Sequence, residues 1–324
     1  VKDAILVKNL SKTYNLSSGL FRPPVQLHAV ADISFSIPEN TTFGLVGESG
    51  SGKTTTAKML MGAEAPTSGK IEVHGTNIAN LNKAERFRFY RKLQPVLQDP
   101  YSSLSPRMSI RNIVEEPLKI HGVPRARRRE LVETLLTQVG LVPSTAERYP
   151  NELSGGQRQR VAIARTLALE PSCIVLDEPV SALDVSIQAQ ILNLLKKLQA
   201  ERGVTYFLIS HDLAVVSYMS DQIAVMYLGQ IVEIGSRAAI VKNALHPYTL
   251  ALISASAADS IVVPVQGEIP SPINPPKGCT FHTRCPFAGN GCFTDAPKLR
   301  QIASDHYVAC HYSDITRSKA QTKT

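Results

Sequence analysis

The chain has 324 residues, 43% apolar and 19% charged, and a formal net charge of +8 at pH 7. That balance supports a sizeable core in one large domain or two modest ones, and excludes a disordered or coiled-coil chain. No apolar run reaches the roughly 18 residues of a membrane span, and the excess of Lys and Arg favours polyanionic partners: nucleotides, nucleic acid or an anionic membrane surface. The chain opens on Val1 without a starting Met or an apolar signal segment, as expected of a processed, tagged or excised chain.

In chain order, residues 4–10 and 30–37 read as strands, the second alternating and ending at Pro38; between them, residues 16–26 are rich in Ser, Gly and Pro and read as a loop. Thr42–Val46 is a short buried strand running into glycines, followed by a helix over residues 53–61 and a strand over 70–73 that stops before Gly75. Residues 83–141 are Arg-rich and mostly helical in pattern. One helix begins near Arg125, with Leu131, Leu135, Leu136 and Val139 as its apolar positions. Strand signals return at 173–176 and 204–209 with a helix over 186–202 between them, the alternation of a parallel sheet. Beyond residue 255, Pro264, Pro270, Pro272, Pro275 and Pro276 preclude helix and central strand, so an extended linker leads into a small tail. No internal repeat is present.

Gly47-Glu48-Ser49-Gly50-Ser51-Gly52-Lys53-Thr54 fits the phosphate-loop pattern G-x-x-x-x-G-K-[ST] in full, after an apolar strand and before a helix. Glycines let backbone N–H groups curl around phosphate oxygens, and the helix aims its N-terminus at the anion. Lys53 is placed to reach the β- and γ-phosphates and the Thr54 hydroxyl to ligate Mg²⁺; Thr55 completes the nucleotide-binding set. Cys173-Ile174-Val175-Leu176-Asp177-Glu178 supplies the companion strand, delivering Asp177 to the metal and Glu178 to an attacking water. Ser154-Gly155-Gly156-Gln157, opening a helix, is a second candidate phosphate site; alone it would read as an ordinary N-capped helix.

Together these residues resemble the ATP-binding-cassette (ABC) ATPases, whose signature sequence matches Leu153-Ser154-Gly155-Gly156-Gln157-Arg158-Gln159-Arg160. The resemblance implies further roles. Gln98 matches the glutamine that senses the γ-phosphate and joins Thr54 and Asp177 around Mg²⁺. Ser181-Ala182-Leu183-Asp184 resembles the loop that crosses the dimer interface, His211 the switch histidine and Tyr14 the ring that stacks on adenine. Residues 99–107, Leu245-His246-Pro247-Tyr248-Thr249 and Gly278-Cys279-Thr280-Phe281-His282-Thr283-Arg284-Cys285-Pro286 are similar to the dipeptide, oligopeptide and nickel importer group.

The implied fold is α/β: a P-loop NTPase (RecA-like) parallel sheet core, an antiparallel β subdomain, a helical signature subdomain at about 83–160 within an ATPase domain of 1–255, and a linker with a cysteine-bearing extension at 256–324. The implied function is ATP hydrolysis powering peptide import, with Glu178, His211 and Gln98 catalytic. The implied partners are a second ATPase subunit, identical or paralogous, two membrane-spanning permease subunits and, indirectly, a substrate-binding protein, at the cytoplasmic face of the inner membrane and without nucleic acid. Two rival readings stand beside it: a soluble cassette acting on nucleic acid or ribosomes, suggested by the run Arg86-Phe87-Arg88-Phe89-Tyr90-Arg91-Lys92, and a metal-cluster sensing scaffold.

The scaffold reading rests on the tail. Cys279, Cys285, Cys292 and Cys310 stand in C-x5-C-x6-C-x17-C spacing, without the tight C-x2-C of common zinc ribbons. Four thiolates suit a cubane cluster; zinc, with His282, His306 or His311 replacing a ligand, and free thiols remain alternatives. Resemblance to importer ATPases that hold a [4Fe–4S] cluster at matching cysteines implies the cluster. Cys173 lies apart, in the core strand.

Overall fold

The computed structural model describes residues 2–16, 25–256 and 265–314. They form two units: one comprises residues 80–207 with 38–41 and the extreme N-terminus, the other residues 3–37, 42–79 and everything from 208 onward.

In the second unit, the long strands Asp3–Leu16 and Val25–Pro38 lie side by side, and Ser68–Val73 pairs antiparallel with the first. Alternation explains the pairing: Ile5 and Val7 are buried and stand opposite Val73 and Ile71. Both strands exceed the expected spans; the expected loop lies largely outside the described residues. The phosphate loop follows Thr42–Val46, buried along its whole length and parallel to Gln222–Tyr227. Gln222–Tyr227 turns back antiparallel into Gln230–Ser236 through Leu228 and Gly229, both at positive φ (43° and 79°), the geometry of a tight two-residue hairpin. The tail then adds His306–Val308 and Arg300–Ala303 to this sheet, antiparallel to Gln230–Ser236 and to each other. A buried carboxylate ties the tail in. Glu233 accepts hydrogen bonds from the backbone N–H groups of Leu245 and His246, and its Oε1 lies 2.7 Å from His306 Nε2. The described residues 265–281 carry neither helix nor strand, as their prolines dictate.

In the first unit, Leu93–Val96 pairs parallel with Cys173–Asp177, all five residues of which are buried. Ile110–Ile120 is capped by Ser109 and buries Ile110, Ile113, Val114 and Leu118, one helical face. In Arg125–Gln138 the inward residues are Val132, Leu135 and Leu136, continued by Val139; Leu131, expected inside, is turned out, because spacing i, i+3, i+4, i+7 runs from 132 and not from 131. Val185–Arg202 ends at Gly203, in the left-handed conformation at φ 63°. The basic-aromatic run forms the helix Lys83–Lys92, which buries Phe89 and stacks Phe87 on His121, with ring centroids 4.2 Å apart. Among the described residues no helix is long and apolar enough to cross a membrane.

Candidate functional site

The second unit carries the phosphate loop. Gly47 has no room for a side chain: a Cβ there would stand 2.1 Å from the Met226 carbonyl oxygen. Gly52, at φ +107°, would place one 2.3 Å from Ala29 O, so both glycines are required by close backbone approach. Gly52 leads directly into the helix Lys53–Leu60. The Lys53 ammonium is buried and donates to the carbonyls of Gly47 (2.7 Å) and Glu48 (2.9 Å), bracing the loop it springs from. Thr54, in the first turn, is exposed. Ser51 is tied into the loop by its N–H to Glu48 O. Tyr14 is half-buried, with the Lys12 ammonium 4.9 Å from its ring centre. His211 is exposed just past the strand Thr205–Ser210, where Ser210 Oγ accepts from Asp212 N and Asp212 caps the next helix.

The first unit carries the carboxylates and the signature segment. Asp177 ends its buried strand; Glu178 follows at φ 46°, a left-handed conformation rare for a residue with a side chain. Gln98 Nε2 donates to Glu178 Oε2 at 2.9 Å, joining two expected catalytic residues 80 positions apart. In this unit the amide carbonyl of Gln98 and the Asp177 carboxylate are hard oxygen donors, of the kind Mg²⁺ takes.

Ser154 caps the helix Gly155–Leu167. Its Oγ accepts from Gln157 N (3.3 Å), and Gln157 Oε1 accepts from Ser154 N (3.0 Å). Ser154 is therefore an ordinary helix cap, and its hydroxyl proton remains available to donate elsewhere. Gly156 is needed for packing, since a Cβ would meet Ile187 Cγ2 at 2.6 Å; one on Gly155 would crowd Leu183 at 3.3 Å. The signature turn is thereby seated on the segment 181–187.

The four tail cysteines line one pocket together with Phe281 and Phe287. Burial pushes the thiols of Cys285 and Cys310 up to about 12 and about 11 and raises Cys279. Backbone N–H groups of Phe281 and His282 are directed at Cys279, that of Phe287 at Cys285 and that of Tyr312 at Cys310. Among the described residues no three His, Cys, Asp or Glu side chains converge to hold a single metal ion. Of the tail histidines, His306 Nε2 is paired with Glu233, His282 Nδ1 with Cys279 O (2.8 Å) and His311 Nε2 with Asp295 O (2.8 Å), each through one ring nitrogen. Cys173, its thiol pushed up to about 12 by burial, takes no part in the pocket.

Tyr248 and Arg284, which the sequence offered only as parts of importer-like segments, both hold Glu48: the Tyr248 hydroxyl accepts from Glu48 N at 2.8 Å, and Arg284 is paired with the Glu48 carboxylate. No local pattern marks either contact.

Residues 30–181 match the family model "ABC transporter", and residues 232–292 match "Oligopeptide/dipeptide transporter, C-terminal region". A probable peptide ABC transporter ATP-binding protein of Sinorhizobium fredii is 50% identical over 96% of this chain and 90% of its own length. An oligopeptide transport ATP-binding protein of Bacillus subtilis is 47% identical over 94% and 96%, and a di/tripeptide transport ATP-binding protein of Pseudomonas aeruginosa 43% identical over 97% and 99%. Among solved structures, a dimeric ATP-binding cassette in a post-hydrolysis state with ADP and Pi matches at TM-score 0.64 and 30% identity, covering 72% of this chain and 98% of that one. A cassette of a Clostridium perfringens ABC transporter complex matches at TM-score 0.66 and 26% identity, covering 78% and 96%.

Proposed function

The chain belongs to the ATP-binding subunits of peptide ABC importers, ATPases that power peptide transport, and from that premise we propose the part each residue plays. The observation that carries the reading is the phosphate loop, a strand-to-helix turn whose Gly47 and Gly52 admit no side chain and whose lysine is buried against the loop's own carbonyls. A triphosphate offers Lys53 better acceptors than those carbonyls, so the ammonium turns to the β- and γ-phosphates while the loop N–H groups and helix N-terminus take the remaining charge. Thr54, Asp177 and Gln98 would hold Mg²⁺, which would neutralise charge developing on the phosphates. Glu178, held by the Gln98 amide but not ion-paired to it, orients the water and takes its proton. His211 steadies the γ-phosphate and Tyr14 stacks on adenine.

One nucleotide occupies one phosphate loop, so Ser154–Gln157 serves a nucleotide held by a second cassette in a head-to-tail pair. In the first unit a groove of about 330 Å³, lined by Leu97, Leu104, Glu116, Ile120 and Arg165, lies beside Gln98 in sequence and suits a short permease helix. Docking there places the chain peripherally at the cytoplasmic face. The relatives' names support peptides as cargo; the nucleic-acid and sensor readings find no such support.

For the tail cysteines we propose a [4Fe–4S] cluster, a reading supported by four thiols on one pocket with backbone N–H groups aimed at three of the sulfurs. Its contribution is structural, stapling a segment too small for a core of its own.

Two substitutions test the hydrolytic assignment. Glu178→Gln should bind ATP nearly as the wild type does and lose turnover by about 10²-fold or more; wild-type turnover would remove Glu178 from the chemistry. Lys53→Ala should weaken ATP binding itself, and unchanged affinity would contradict the phosphate loop.

A further inference from the structure

Glu48 brings a carboxylate into a loop built to hold a triphosphate. The guanidinium of Arg284 meets it as a fork, with Nη1 to Oε2 at 2.7 Å and Nη2 to Oε1 at 3.1 Å, across 236 positions of sequence. The pair is sheltered, with the Arg284 side chain 10% and the Glu48 side chain 30% exposed. Arg284 closes the single turn His282–Arg284, between Cys279 and Cys285, with its N–H on Phe281 O. Its guanidinium lies 5.9 Å from the Tyr227 ring centre and 6.0 Å from that of Phe281. Phe281, fully buried, packs at 5.2 Å against Tyr227 and 5.4 Å against Tyr248. Tyr248 takes the main-chain N–H of the same Glu48 on its hydroxyl. Both the side chain and the backbone of one phosphate-loop residue are thus held by the last quarter of the chain.

We propose that Arg284 and Tyr248 are positioning residues for ATP binding, and that Arg284 neutralises Glu48 so that the loop accepts a triphosphate, an inference that rests on reading residues 47–54 as a phosphate loop. An unpaired carboxylate beside the phosphates repels them, while the two-pronged guanidinium both cancels the charge and fixes the carboxylate's rotamer. Neither residue is assigned contact with the reacting atoms, so affinity is affected and turnover at saturation is spared.

The test measures Mg-ATP affinity with a fluorescent non-hydrolysable analogue, and KM and kcat, on the full chain as wild type, R284M, R284K, Y248F and the double variant E48Q/R284M. R284M should lower affinity and raise KM about tenfold, with kcat within about twofold of wild type. R284K, a point charge without the fork, should fall between. Y248F should raise KM about threefold, having lost only the acceptor for Glu48 N–H. E48Q/R284M should regain most of the lost affinity because no carboxylate remains to repel ATP, a recovery that a merely structural role for Arg284 would not produce. Unchanged affinity in R284M, or a double variant no better than R284M, overturns the proposal. Should R284M fail to fold, unchanged affinity in both R284K and Y248F overturns it. If wild type and K53A bind the analogue equally, the phosphate-loop reading itself fails, an outcome distinct from a wild type that binds tightly and an R284M that binds as well.

Discussion

A carboxylate that works on water must be held in place without being neutralised. Glu178, proposed for that part, is held in place: its backbone is turned into the left-handed region at φ 46°, and its side chain accepts from the Gln98 amide at 2.9 Å. A Lys or Arg in the place of Gln98 would lower its basicity. At the same scale, His246 is fully buried and uncharged, its Nδ1 accepting the N–H of Tyr248 (3.1 Å), and burial lowers its pKa from 6.5 to about 3. Below pH 6.5 the unfolded chain therefore takes up a proton that the folded chain refuses. Stability from this residue is complete above pH 6.5 and is lost as pH falls toward 3, by about 1.4 kcal/mol per pH unit. Urea unfolding of wild type and His246→Asn at pH 7.5 and 5.5 reads this directly: the variant should lose about 1.4 kcal/mol less over that interval, and equal losses would contradict a buried neutral imidazole.

At the scale of elements, what the sequence revealed followed from local chemistry. The phosphate loop, the Asp177–Glu178 strand and the signature helix each carry their pattern within eight or so consecutive residues. Leu93–Val96 escaped notice because four residues with a proline at 95 lack a strand's length or alternation. The hairpin Gln222–Tyr227 and Gln230–Ser236 was missed although both strands are apolar, since its turn places Leu228 at positive φ where Asn or Asp would have announced it. The tail strands, with Arg300–Ala303 exposed throughout, have no apolar rhythm to read. The cysteine pocket is the element-scale feature most open to direct measurement. Anaerobically purified chain should be brown and carry about four iron and four sulfide, and Ala at any of Cys279, Cys285, Cys292 or Cys310 should bleach it while Cys173→Ala does not. Colourless protein with stoichiometric zinc, or with no metal, would contradict the cluster.

At the scale of the whole molecule, the working residues are split: the phosphate loop, Tyr14, His211 and the tail belong to one unit, and Gln98, Glu178 and Ser154–Gln157 to the other. Motifs report what each segment binds but not which segments cluster in space; the pairing of Glu48 with Arg284 was hidden for the same reason, lying 236 positions apart. A chain of this family earns its place only as part of an assembly, so the decisive measurement is ATP-driven uptake. Vesicles bearing the two permease subunits, this chain and its partner cassette should accumulate a labelled di- or oligopeptide, presented with its binding protein, only when ATP is on the cassette side, and should lose uptake when Glu178→Gln replaces the wild type. Peptide uptake that continues unchanged with Glu178→Gln, or ATP hydrolysis by the assembly without any peptide accumulating, would contradict the account.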